Sequence, residues 1–448
     1  MFDMLPNFTL SATQLGDLYD YRLRRLRQAM QKADVHLCVL NNPISLRYAI
    51  DCNEYPLFQS HLPTIYLLVP IEGPLRLYSA SGRDYPFVEQ YARAHFNNVF
   101  DGGLDLQTAA KNMVADIQDY MATYGLRKHK VALERFTPYV AETFRQAGAQ
   151  VVDAEIIVEQ AKLVKSAEEI LCMQRSVAVG QHGIKQMHQA LQPGLTENQL
   201  WSILHQVNIA HDGNWIEGHM LASGSRTNPW LQEATGKVIE AGELVAFDTD
   251  MIGPMGYIAD VSRTWLCGDG KPNTQQKQAY QHAYDEIHEN MQLIKPGVSF
   301  KELSEKAFQR TAKYRDHRYV CVFHGVGLSD EYPKIYYQED WPRDGYDGVL
   351  EENMVLCVES FSGAPGEKEG VKLENQVRVT ATGFELMSDY PFAADLLAWA
   401  AIFLKNNLKR RILYLLCCLC LTQAGLCRKI RSFIFAHVWL FKPRKHGP

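Results

Sequence analysis

The chain has 448 residues, enough for two or three domains and a sizeable core. Apolar residues make up 46% and charged residues 22%, which excludes a disordered chain, a collagen and a disulfide miniprotein. The formal charge of −5 is uneven: from Ala398 on there are ten Lys or Arg and no Asp or Glu, leaving 36 basic against 51 acidic residues, a net −15, in residues 1–397. So acidic a body does not attract nucleic acid non-specifically and speaks against a membrane-surface protein.

In chain order, DLYDYRLRRLRQAMQKA places Leu18, Leu23, Leu26 and Met30 near one helical face, and HLCVL then reads as a short buried strand. TIYLLVPI and LRLYSA, separated by Glu72-Gly73-Pro74, read as a hairpin. Helix and strand signals alternate up to VALERF and VVDAEII, so residues 1–158 are expected to form an α/β domain. Long amphipathic helices followed by strands fill residues 159–397, the expected second domain.

The second domain contains an internal echo. QPGLTENQL at 192–200 is matched by KPGVSFKEL at 295–303: a Pro-Gly turn, a Thr or Ser N-cap, and a Gln or Glu three residues on. Each copy is followed by a helix and then by a strand pair dense in acids, which points to a duplicated unit with pseudo-twofold symmetry.

Those acids carry the chemistry. Asp248 and Asp250 stand two apart and, on a strand, would share a face. Asp260 follows a loop containing Gly253, Pro254 and Gly256; the second half supplies His324 in VFHGVGL, Glu359 in LCVES and Glu374 in KLENQ. Any one of these acids alone is an ordinary solvated strand-edge residue. Five carboxylates in one site repel unless cations neutralise them, and two divalent ions completed by one imidazole would bring the set close to balance.

VAFDTDMIGPMGYIADVSRTW, FHGVGL, MVLCVES and GVKLENQVRVTATG resemble the metal-binding motifs of the pita-bread metallopeptidase superfamily, the fold of methionine aminopeptidase, aminopeptidase P and prolidase. The resemblance spans about residues 1–397 and implies a creatinase-like α/β N-terminal domain, an α+β pita-bread catalytic domain, and a dinuclear centre held by Asp248, Asp260, His324, Glu359 and Glu374. The chain departs from the peptidases in detail. Their two Asp ligands usually stand one residue closer, and their auxiliary histidines are replaced by Trp230, Val320 and Glu331.

A nearer resemblance is to the DddP-type dimethylsulfoniopropionate lyases of the same superfamily, through the Asp248, Asp250, Asp260 spacing, the Asn228-Pro229-Trp230 run, and Tyr319, His324 and Asp330. It implies β-elimination of the substrate to dimethyl sulfide and acrylate, Asp250 as a sixth metal ligand, Asp330 as the base that removes the α proton, and Tyr319 beside the substrate. The cofactors implied are two divalent metal ions, iron first, with manganese or zinc as alternatives. A sulfonium is a permanent cation that aromatic faces bind, so Trp230 and Tyr319 are candidates for its cage, with Trp215 and Trp265 behind them. The alternative of the same fold is a hydrolase of proline dipeptides or other small amides.

Cys38, Cys52, Cys172, Cys267, Cys321 and Cys357 stand singly and read as buried reduced thiols. The start, MFDMLPNFTLSATQ, lacks a signal peptide's basic and apolar regions, and both facts fit the cytoplasm. The resemblance to creatinase-like domains implies a homodimer, with the segment 51–58 as a lid over a neighbour's site. The runs after Leu397 are too short for a spanning helix of about twenty residues and read as an extension without a catalytic role. No membrane span is expected.

Overall fold

A computed structural model describes residues 3–95, 98–100, 102–126 and 130–397; the extension after Leu397 lies outside the described residues. The first helix, Ala12–Lys32, begins at a capping box between Ser11 and Gln14. Leu18, Leu26 and Met30 are buried as their spacing predicts, and Leu23 is half-buried. Arg22, on the same face, is buried too. It donates to the Tyr257 hydroxyl and lies 3.5 Å from Glu169, so this helix is tied to the catalytic half by a buried cation.

The N-terminal sheet contains β1 (Leu37–Leu40), β2 (Tyr66–Pro70), β3 (Leu75–Tyr78), β4 (Val88–Ala92), β5 (Lys130–Leu133) and β6 (Gln150–Asp153), in the order β4-β3-β2-β1-β5-β6. β2 and β3 form the expected hairpin, its turn using Gly73 at φ 111°, where a side chain would be strained. β1, β5 and β6 are parallel, with the helices Pro138–Gln146 and Glu155–Lys162 following β5 and β6. VVDAEII therefore splits: only its first three residues finish a strand, and Glu155 already opens a helix.

The catalytic half has a three-stranded sheet, β7 (Leu221–Ser223), β8 (Leu244–Phe247) and β11 (Arg263–Leu266), ordered β11-β8-β7. Between β8 and β11 a two-stranded ribbon, β9 (Met251–Ile252) and β10 (Ile258–Ala259), projects around the 3₁₀ turn Pro254–Gly256. The second sheet runs β13-β12-β14-β15-β16, with β12 (Phe323–Val326), β13 (Asp330–Ile335), β14 (Val355–Ser362), β15 (Val371–Thr380) and β16 (Gly383–Leu386). The helices Ala167–Ala190, Glu197–Ala210 and Thr274–Met291 pack along these strands. β11 and β15 join the sheets: the Lys372 N–H donates to Thr264 Oγ1 at 3.1 Å, and Thr264 Oγ1 donates to the Lys372 carbonyl at 2.8 Å.

The internal echo is structural. Gly194 and Gly297 both take left-handed φ, and their N–H groups donate to the carbonyls of Ile239 and Leu350 at 3.0 and 2.9 Å. Thr196 bridges Val238, and Ser299 bridges Val349, so in each half the helix start is pinned to the chain just ahead of that half's central strand. The helices that follow differ in length, 14 residues against 7. The architecture matches the expectation of an α/β N-terminal part followed by a second half with a pseudo-twofold repeat.

All six cysteines that precede the extension are buried and unbridged. Among the described residues no helix is long and apolar enough to cross a membrane.

Candidate metal centre and its comparison with known proteins

Asp248 and Asp250 are not on a strand. β8 ends at Phe247, and both acids lie in the crossover to β9, with Asp250 at φ 35°. Strand alternation therefore cannot be what aligns them. Thr249 does it by bonding across the crossover: its hydroxyl donates to the Ala259 carbonyl at 2.7 Å and accepts from the Val261 N–H at 2.9 Å. This holds the two acids opposite Asp260, which sits between β10 and β11, so carboxylate oxygens of Asp248, Asp250 and Asp260 lie within 4.8 Å of one another.

The second half supplies the opposing wall. Glu359 and Glu374 are directly paired across β14 and β15. Two like charges opposite each other on one sheet face destabilise it unless a cation separates them. His324 reaches in from β12: its Nε2 is 2.9 Å from Glu359, 3.5 Å from Asp260 and 3.7 Å from Glu374, and its Nδ1 is 3.7 Å from Asp330. The six residues expected to bind metal thus converge. Asp330, the first residue of β13, lies at the rim with its side chain 63% exposed.

The residue missed by sequence reasoning is Lys372. Its fully buried ammonium contacts Asp248 at 2.8 Å, Glu359 at 2.5 Å and Glu374 at 3.3 Å. The signal was present in GVKLENQ, because Lys372 stands two residues before Glu374 on one strand and so shares its face. With this cation counted, the five acids Asp248, Asp250, Asp260, Glu359 and Glu374 carry a formal −4, which two divalent ions cancel. Cys357 is a second addition. It pairs with His324 across β12 and β14, and its Sγ lies 3.4 Å from Asp260 Oδ2.

Electrostatics agree that positive charge is still wanted. Burial, then Glu374, pushes the Asp248 carboxyl up to about 6, and burial with Glu374 pushes Glu359 up to about 8. Burial and its acidic neighbours raise Asp250 and Asp260 well above the carboxylate range. Burial works against the charge on Glu374 too, but Lys372 and His324 outweigh it and hold that carboxyl well below its ordinary value. Asp248 Oδ1, Asp260 Oδ1 and Glu374 Oε1 are buried without a hydrogen-bond partner. Each such oxygen costs about 1–3 kcal/mol if nothing meets it. Oxygen donors with one imidazole suit divalent iron, manganese or zinc, so the residues fit a dinuclear centre.

Beside the acids lies an aromatic patch. Trp230 stacks on Phe361 with ring centroids 6.0 Å apart, and Met220 and Tyr319 pack against the same cluster. Asn228 sets the approach of Trp230: its amide donates to the Ala364 and Glu367 carbonyls, each at 2.9 Å, and its Oδ1 lies 2.8 Å from His317. The Lys372 ammonium lies 4.5 Å from the centre of the Tyr319 ring, which links the patch to the acids. Trp265 is a core residue, stacked on His188 at 4.4 Å, and Trp215 packs against a core cluster that runs from the N-terminal sheet into the second half. Neither belongs to this patch.

The three positions where the peptidases carry auxiliary histidines have separate fates. Trp230 joins the aromatic patch, Val320 is exposed, and Glu331 turns away from the acids to bind Lys162 and Lys165.

Residues 171–381 match the model of metallopeptidase family M24. The chain is similar to the dimethylsulfoniopropionate lyase DddP of Roseovarius nubinhibens, 33% identical over 86% of this chain and 88% of that protein, and to the DddP of Roseobacter denitrificans, 31% identical over the same shares. The chain belongs to the DddP family. An Xaa-Pro dipeptidase of Lactobacillus helveticus is 25% identical over 81% of this chain and 95% of its own. Among solved structures, an Xaa-Pro dipeptidase from Bacillus anthracis and an X-Pro aminopeptidase from Thermotoga maritima each superpose with a TM-score of 0.66 at 20% identity, over 84% and 83% of this chain and 99% and 98% of theirs. The DddP family thus shares its fold with proline-specific peptidases, and the acid set, His324 and Asp330 of this member lie on that common frame.

Proposed function

We propose that this protein is a metal-dependent carbon–sulfur lyase that cleaves dimethylsulfoniopropionate to dimethyl sulfide and acrylate by β-elimination. The observation that carries the reading is kinship with the DddP lyases along 86% of the chain. The site's composition supports it, since Asp330 stands beside His324 while none of Trp230, Val320 and Glu331 offers an imidazole to a hydrolytic intermediate.

In this reading Asp248, Asp250, Asp260, His324, Glu359 and Glu374 hold two divalent ions, and iron is the metal we propose. Ions held there would supply Lewis-acid chemistry, polarising the substrate carboxylate and dispersing the charge that develops beside it. The Asp330 carboxylate takes the α proton; the C–H electron pair becomes the new double bond, and the β C–S pair leaves on sulfur as neutral dimethyl sulfide. Trp230 and Tyr319 face the sulfonium with π-surfaces, which bind a cation that has no proton to donate. Because Lys372 already lies over Tyr319, we assign most of the cage to Trp230, which Phe361 backs from the core.

Further proposals concern the whole protein: an N-terminal domain of residues 1–158 and a catalytic domain of 159–397, a cytoplasmic location, consistent with six buried unbridged cysteines, and a homodimer. The dimer is supported by the segment 51–58, where Tyr55, Leu57 and Phe58 present apolar side chains to solvent, Tyr55 with 76% of its surface exposed. Light scattering should give twice the chain mass; an active monomer at assay concentration rejects a shared site.

The deciding experiment is headspace detection of dimethyl sulfide from metal-loaded protein, beside an assay with a proline dipeptide. Release of dimethyl sulfide without peptide cleavage is expected. Asp330→Asn should keep both metals by elemental analysis and lose at least about a hundredfold in turnover, the lower range for general-base catalysis. Dipeptide cleavage with no dimethyl sulfide would return the protein to the hydrolases.

A further inference from the structure

Asp330 has little to hold its own side chain. It is largely exposed, and its approach to His324 Nδ1, 3.7 Å, is longer than a hydrogen bond. Its position therefore depends on the backbone of the turn between β12 and β13, and that turn is built around the next residue. The Glu331 side chain is 2% exposed; its Oε2 accepts from Lys165 Nζ at 2.8 Å, its Oε1 from the Leu328 N–H at 2.9 Å, and Lys162 Nζ lies 3.4 Å away. The turn closes on this carboxylate with no space to spare, since a Cβ on Gly327 would stand 2.5 Å from both of its oxygens. The clamp extends one residue further. Glu159, which pairs with Lys162 at 2.6 Å, also accepts the Tyr332 N–H at 2.9 Å.

Both lysines lie outside the strands that carry the acids. Lys162 ends the helix Glu155–Lys162, and Lys165 follows it, its own N–H donating to the Asn353 carbonyl at 3.0 Å. The same helix lines a cavity of about 560 Å³ into which Ser329, Asp330 and Glu217 also face. A carboxylate buried between two ammonium groups is expensive to disturb, because removing one partner leaves a buried charge without compensation.

We propose that Glu331, gripped by Lys162 and Lys165, is a positioning residue that sets the backbone beneath Asp330 and so aims the base. The proposal rests on the lyase reading of Asp330. It also gives position 331 a new role: the residue that replaces a hydrolase's imidazole faces away from the metals and stabilises the turn that presents the base. Misplacing a reacting group by about 1 Å costs on the order of a hundredfold in rate, which is the scale on which a loosened turn acts.

The test uses the full-length, metal-loaded protein. Glu331→Gln and Lys165→Met should each lower kcat for dimethyl sulfide release by about tenfold to a hundredfold, with bound metal and KM unchanged, while Lys165→Arg keeps kcat within about threefold. In an Asp330→Asn background Glu331→Gln should cost nothing more, because there is no base left to aim. A kcat within about twofold of wild type in Glu331→Gln, or an equal loss in both backgrounds, overturns the proposal. Hydrogen exchange at the Leu328 amide supplies a readout that does not depend on turnover: it should accelerate in Glu331→Gln or, if that variant does not fold, in Lys165→Met. Unchanged exchange in a folded variant refutes the clamp, whereas a wild type that releases no dimethyl sulfide refutes the lyase reading alone.

Discussion

At the scale of single residues, Lys372 changes how the centre is understood. Five carboxylates around two ions would leave one negative charge over, and the buried ammonium of Lys372 among Asp248, Glu359 and Glu374 removes it. It also keeps the acids together before any ion arrives. Lys372→Met should therefore lower the stability of the metal-free protein by about 3–5 kcal/mol, the usual cost of breaking a buried ion pair. Saturating metal should recover part of that loss. Thermal unfolding with and without a chelator reads both values, and equal melting temperatures for wild type and variant without metal would contradict this role. Glu134 is a second buried ionisable group, far along the chain from the acids. It accepts the N–H groups of Asn41 and Asn42 at 2.8 and 2.6 Å and the Ser45 hydroxyl, yet burial outweighs these bonds and pushes its carboxyl up to about 7. The folded state then holds its proton more tightly than the unfolded chain does. The stabilisation is full below the ordinary value of 4.5 and is lost as pH rises to about 7, on the order of 3 kcal/mol in total. Glu134→Gln cannot ionise, so its unfolding free energy should lack this slope between pH 5 and 7 in denaturant titrations.

At the scale of elements, the two related helix starts are each pinned by a backbone bridge to the chain ahead of a central strand. They are not equally capped. Thr196 forms a reciprocal capping box with Gln199, whereas Ser299 accepts from the Glu302 N–H alone. Thr196→Ala and Ser299→Ala should each cost about 1 kcal/mol, and the first should cost more because two bonds are lost. Equal melting shifts would show that the box adds nothing here. The strand pair β14 and β15 does a different job. By fixing Glu359 opposite Glu374 in register, it makes the like-charge pair unavoidable, and a one-residue slip of either strand would send that strand's acid to the other face.

At the scale of the whole molecule, residues 1–396 form one compact unit that contains every acid, His324, Lys372, Asp330 and the clamp of Glu331. A chain ending at Leu397 should therefore keep the turnover and metal content of the full protein, and should be more soluble because it sheds the apolar runs of the extension. Loss of folding by circular dichroism after truncation would assign the extension a structural part. The N-terminal half contributes to the site by support: Arg22 reaches Tyr257 and Glu169, and the helix after β6 supplies Lys162 to the turn of Asp330.

Some of this was determined by the sequence alone. The apolar spacing of residues 17–33, the hairpin around Gly73, the doubled helix starts and the acids embedded in apolar strands are local patterns, and a local pattern needs no partner to be read. The five carboxylates and His324 were therefore legible as candidates by residue type and spacing, whereas Asp330 was singled out only by the resemblance to the DddP lyases. Other features were decided only by the tertiary structure. Asp248 and Asp250 face one way because Thr249 bonds across a crossover to Ala259 and Val261, not because a strand alternates. Lys372 became part of the centre when β8 and β14 closed over it, and Glu331 became a clamp because lysines about 170 residues earlier lie beneath it. Charges act through space, and which acid meets which ammonium is settled by how distant strands pack rather than by their order along the chain.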